Sequence, residues 1–160
     1  MSSLLDRILE LEQQLTALKT EIEKENKRWR SKDGDTYWIV GSNGETTCSY
    51  EYHRDTDNFR YDTHNYFQTE EEAQKYAKVL ATERQLKKFA DEHNGEISLS
   101  NNNSDKGYLS YNYSTQSICA LSVWALKEPR VIYFSSEEIA QQAINEIGED
   151  TIKEYLTYEW

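Results

Sequence analysis

Glycine is scarce in this chain: there are six, and none is spaced as GxGxxG or GxxxxGK. A backbone that wraps a phosphate needs glycine at those intervals, so the common nucleotide loops are excluded. Proline occurs once, at Pro129, where it breaks the strand composition before it. The two cysteines, Cys48 and Cys119, form no CxxC, and with His53, His64 and His93 they give no zinc-type spacing. They read as small strand residues, and nothing forces a disulfide between them. HExxH and GxSxG are both missing. No apolar run approaches a membrane span, and the amino terminus lacks a basic-then-apolar signal region. The expectation is a cytoplasmic protein with no membrane association.

Positive charge is the other shortage. Eighteen Lys/Arg face 29 Asp/Glu, a formal charge of −11. Residues 1–33 hold seven of each sign, so the whole excess lies on residues 34–160. Binding to a phosphate backbone needs clustered Lys and Arg, so an acidic body argues against it. Acid excess fits either solubility or a basic partner.

The chain opens on a heptad pattern. Leu4, Ile8, Leu11, Leu15, Leu18 and Ile22 are spaced 4-3-4-3-4, the a/d seam of a coiled coil. Ser2 and Ser3 can cap its start. An isolated helix of three heptads is marginal in water, so the seam needs a partner. The narrow stripe and charged flanks favour another copy of the chain, making residues 1–32 an oligomerisation helix. Ile and Leu are mixed at a, which leaves dimer, trimer and tetramer all open.

Residues 36–160 read as an α+β domain. Tyr37–Val40 and the stretch from Glu45 flank a Ser-Asn-Gly turn, a hairpin signal. The Asp/Asn-rich stretch DTDNFRYDTHN reads as a loop. Thr69 with Glu72 forms a capping box. The helix that follows turns Ala73, Tyr76, Ala77, Leu80, Leu86, Phe89 and Ala90 inward and stops near Gly95. The second half repeats the order. YLSYNYS and ICALSVWAL are strands, and VIYF leads into a second cap at Ser135 or Ser136. Ile139, Ala140, Ala143, Ile144 and Ile147 make the next buried stripe. Gly148 ends that helix, and a short last helix or tail follows.

The repetition is also literal. YFQTEEEAQK at 66–75 and YFSSEEIAQQ at 133–142 agree at six of ten positions. The expectation is two β-hairpin-plus-helix units, 36–95 and 107–156, from an internal duplication. Their strands would share one antiparallel sheet with helices on one face. Capping and the helix dipole explain the repeated glutamates without catalysis.

Chemistry has one weak candidate. His53 and His64 flank a loop that holds Asp55, Asp57 and Asp62, groups that can bind a metal or move protons. A polar loop of this length ordinarily carries such groups. We therefore expect no catalytic residue, metal or cofactor. The aromatics say more: there are twelve tyrosines and four tryptophans. Tyr50, Tyr52, Tyr61, Tyr111 and Tyr113 alternate with polar residues. With Trp38, Arg54 and Arg60 they form a candidate face for a base, a nucleotide or a protein surface. The other reading is tyrosine filling a small core with a wet rim.

TYWIV, NYFQTEEEAQKYAKVLATERQLKKFADEHN and VIYFSSEEIAQQAINEIGEDTIKEYL carry a resemblance. Together they resemble a group of small uncharacterised proteins in tailed phages and prophages of low-GC Gram-positive bacteria, over about residues 29–156. The group often opens on Trp-Lys-Pro; WRSKDGD here lacks the proline. The resemblance implies a setting and no reaction: a phage accessory protein in the host cytoplasm, of a kind that includes anti-defence, anti-CRISPR-like inhibitors. The implied partner is a host defence protein or ribonucleoprotein. The alternative is an oligomeric sponge for a nucleotide-derived immune signal.

Overall fold

In the computed structural model the described residues are 4–25, 28–95, 105–123 and 131–159. Among the described residues, five helices and two small antiparallel sheets make an α+β fold. None of the described helices is long and apolar enough to cross a membrane.

Helix α1 (Leu4–Glu25) carries the heptads. Ile8, Leu11, Leu15 and Leu18 are each more than half exposed, and Leu9 joins them off the seam. No described strand or helix packs extensively against it. The side chains of Leu4 and Ile22 lie outside the described ones. Residues 28–35 are not helical and run against the body, so the sequence boundary at residue 32 extends the helix too far.

The hairpin of β1 (Thr36–Val40) and β2 (Thr46–Tyr50) sets Trp38 opposite Cys48. Gly44, at φ +85°, takes the left-handed turn position. On the other edge of β1, Trp38 and Phe67 exchange two backbone hydrogen bonds of 2.9 Å. Val40 is held alongside by Asn65, whose amide bonds its N–H and C=O, each at 2.8 Å. DTDNFRYD is a helix, α2 (Asp55–Asp62), where the sequence suggested a loop. Asp57 in its first turn takes local bonds from the Tyr52 and Arg54 amides and a tertiary bond from Tyr37, which together outweigh the poor helix propensity of Asp and Asn. His53 and His64 take positive φ on either side of it.

Helix α3 (Glu70–His93) starts on the expected box, Thr69 accepting from the Glu72 N–H and Glu72 from the Thr69 N–H. Ala73, Leu86, Phe89 and Ala90 are buried as expected, and Val79 and Thr82 join them. Its end is fixed by Asn94. That side chain donates to the Tyr133 carbonyl at 3.0 Å and accepts from the Ser135 N–H at 2.7 Å.

The second sheet has the order β4 (Ser117–Val123), β3 (Lys106–Asn112), β5 (Tyr133–Phe134). Gly107 lies opposite Phe134 and Tyr108 opposite Tyr133. In both halves, therefore, a Tyr-Phe pair borders the first strand of a hairpin on the edge away from the second. The strands do not share one sheet: two separate sheets form, and α3 packs on elements of both. Helix α4 (Glu137–Ile147) is capped by Ser136, and α5 (Glu149–Leu156) follows directly across Gly148 at φ +100°.

The interior has two parts. The apolar part gathers Leu86, Phe89, Phe134, Ala140, Ala143, Ile144 and Ile152 between α3, α4, α5 and the second sheet. Each large side chain removed from water there contributes about 1.5–3 kcal/mol. The part under the first hairpin is aromatic and charged.

Candidate functional site

Strand alternation sends Tyr50 and Tyr52 outward and Glu51 inward, where it is fully buried. Tyr66 stacks on Tyr37 with ring centres 3.9 Å apart. Each phenol donates to a buried carboxylate at 2.7 Å, Tyr66 to Glu51 and Tyr37 to Asp57. Each carboxylate also has an arginine. Arg30 donates to both oxygens of Glu51, at 3.0 and 3.2 Å, and Arg60 lies 3.9 Å from Asp57. Backbone donors complete the shells: the His53 N–H to Glu51, and the Tyr52 and Arg54 N–H groups to Asp57. Among the described residues no buried side-chain polar atom is left without a partner.

Burial alone would push both carboxyls up, but these donors outweigh it. Arg30, Tyr66 and the His53 amide hold Glu51 below the usual range; Tyr37, the two amides and the Arg60 charge do so for Asp57. Burial first, and then the facing carboxylate, raises the phenols of Tyr37 and Tyr66. All these groups are fixed in single roles. The arrangement suits holding a shape better than moving a proton.

The structure divides the sequence-expected face. Tyr50 and Tyr52, 57% and 49% exposed, stack at 6.4 Å, and the Arg54 guanidinium lies 4.9 Å from the Tyr52 ring. Arg60 is committed inward, donating to the Tyr37 hydroxyl and Ser49 Oγ. The Arg28 and Arg30 guanidiniums lie 5.1 and 5.0 Å from the centre of the Tyr61 ring, and Tyr61 donates to the Arg28 carbonyl. Trp38 is half-buried at its bridge to Phe67. Tyr111 and Tyr113 meet edge-to-face on the second sheet, with Lys153 over Tyr111. The eight residues are thus divided among the first hairpin and its exit, α2, and the second hairpin, and the exposed cluster at the first is Tyr50, Tyr52 and Arg54.

Of the histidine–aspartate loop, Asp57 is buried in the network and His53 Nδ1 lies 3.4 Å from Glu51. No group of three metal-ligating side chains occurs among the described residues. Cys48 and Cys119 are both free.

A groove of about 760 Å³, which the sequence did not suggest, lies between Arg28–Trp29, α3 and α5. Aromatic rings make much of its wall: Trp29, Tyr66, Phe67, Tyr76, Tyr155 and Tyr158. The residues come from three separated stretches, 28–29, 63–83 and 155–158, so no local pattern joins them. Compared with family models, curated proteins and solved structures, the chain has no match.

Proposed function

We propose that the protein is a non-enzymatic phage accessory protein that binds and inhibits a host defence component, such as a CRISPR nuclease, through its acidic α+β body. Two duplicated hairpin-plus-helix units, 36–95 and 107–156, make the body. The similar placement of their Tyr-Phe pairs supports that origin. The seam of α1 joins copies of the chain in the bacterial cytoplasm.

The observation that carries the reading is the corner at Tyr50–Arg54. Two stacked tyrosines and an arginine stand in solvent on a rigid, hydrogen-bonded base. Tyrosine and arginine on a fixed support are the usual anchors of protein interfaces. A nucleotide sponge has less support. Arg28 and His64 are the groove's basic lining residues, and Arg28 already donates to two backbone carbonyls.

The test is phage plating on hosts that carry defence systems. Expression of the chain should restore plating in at least one, and Tyr52→Ala combined with Arg54→Ala should remove the effect while the protein stays folded. Unchanged plating in every host would contradict the reading.

A further inference from the structure

The aromatic groove has a chemistry of its own. Trp29 packs on Tyr66 at 5.8 Å, and Phe67, Tyr76 and Tyr158 continue the wall at 5.1 and 6.1 Å. Two carboxylates border it, Glu72 and Glu83. One oxygen of Glu72 accepts from the Gln68 and Thr69 amides, and one oxygen of Glu83 pairs with Lys87. Among the described residues the second oxygen of each has no bond.

Arg28 is the guanidinium of the wall, and its bonds hold it in place. Arg28 donates to the carbonyls of Tyr61 and Tyr66, with its guanidinium over the Tyr61 ring. His64 sets Nδ1 3.3 Å from the Asp62 carbonyl. Burial, and then the Glu83 charge, raises the Tyr155 phenol. Burial, Tyr76 and Glu72 raise that of Tyr158, against Arg28. Beside Arg28, the groove therefore offers π faces and the carboxylates of Glu72 and Glu83 together.

A cation over aromatic faces is attracted by the ring quadrupole. A guanidinium adds a plane that stacks and a fork that fits a carboxylate, and it sheds water more readily than an ammonium. The volume exceeds one side chain and suits a side chain with its flanking peptide. We infer that this groove receives an arginine from a basic segment of a partner protein, its guanidinium stacked on the aromatic wall and paired with Glu72 or Glu83. The inference rests on the protein-binding reading and names the chemistry that the partner presents.

The test titrates the complete 15N-labelled chain with a capped Gly-Arg-Gly peptide and with its citrulline counterpart, which has the same shape without the charge. The arginine peptide should shift the Trp29 indole N–H and the amides of Glu72, Tyr76 and Tyr155. The citrulline peptide should bind about tenfold more weakly. Glu72→Gln with Glu83→Gln should weaken the arginine peptide by a similar factor; glutamine keeps the helix cap, so the fold is retained. Equal binding of the two peptides, or no shift at the groove, overturns the proposal. So does a groove shifted by adenosine monophosphate and not by the arginine peptide. The titration contains no defence component, so its failure removes the arginine site without touching the plating result. A positive titration with failed plating removes the proposed target and leaves the site.

Discussion

Glu51 and Asp57 tie three segments together: the stretch at Arg30, the end of β2 and the start of α2. Their folded-state pKa values lie below the unfolded ones, so they stabilise the fold fully above the unfolded carboxyl range, about 4. That contribution is lost as pH falls through the folded values. Tyr37 and Tyr66 are raised, so their contribution is complete below about 10 and is lost as pH rises through the folded values. Denaturant midpoints followed by circular dichroism should therefore fall on both the acid and the alkaline side. Glu51→Gln should cost about 2 kcal/mol, since charged hydrogen bonds are lost but Arg30 is partly solvated. It should also flatten the acid limb. An unchanged acid limb in that variant would show that Glu51 does not hold the corner. The residue was legible in principle, because an acid between two outward tyrosines on a strand faces inward. What the sequence does not show is that Arg30 and Tyr66, from distant stretches, meet the acid there.

Among the elements, what could be read was what is local. The Thr69–Glu72 box, the Ser136 cap and the Gly148 stop each act within one turn of a helix, so composition at fixed spacing reveals them. Helix α2 was not legible because its local cap at Asp57 is joined by a bond from Tyr37, twenty residues away in sequence. Asn65 and Asn94 were missed for the same reason: each bonds backbone far along the chain. The duplication suggested one sheet, and nothing local reports how two hairpins are placed. The join between β3 and α4 is close. A Cβ on Gly107 would stand 2.1 Å from the Ser136 carbonyl oxygen, a backbone atom with little freedom to move. Gly107→Ala should destabilise the fold by about 3 kcal/mol or more, read from its denaturant midpoint. A loss under about 1 kcal/mol would mean that the strand and the helix start separate easily.

At the scale of the whole molecule, the seam of α1 sets four large apolar side chains, Ile8, Leu11, Leu15 and Leu18, in solvent, and no described helix or strand covers them extensively. Pairing with other copies would bury it and bring several Tyr50–Arg54 corners and aromatic grooves into one particle, raising their effective concentration. Of the candidate site, the Tyr50, Tyr52 and Arg54 cluster was legible because three alternating positions on one strand and its exit carry it. The groove was not, because folding alone brings Trp29 to Tyr155 and Tyr158. The most direct measurement is native mass spectrometry on the complete chain from a bacterial lysate, beside Leu11→Asp with Leu18→Asp. The account predicts a homo-oligomer with no small molecule retained, and a monomer for the variant, because charge in the seam is costly. A monomeric parent chain, or an oligomer carrying a nucleotide, would contradict it.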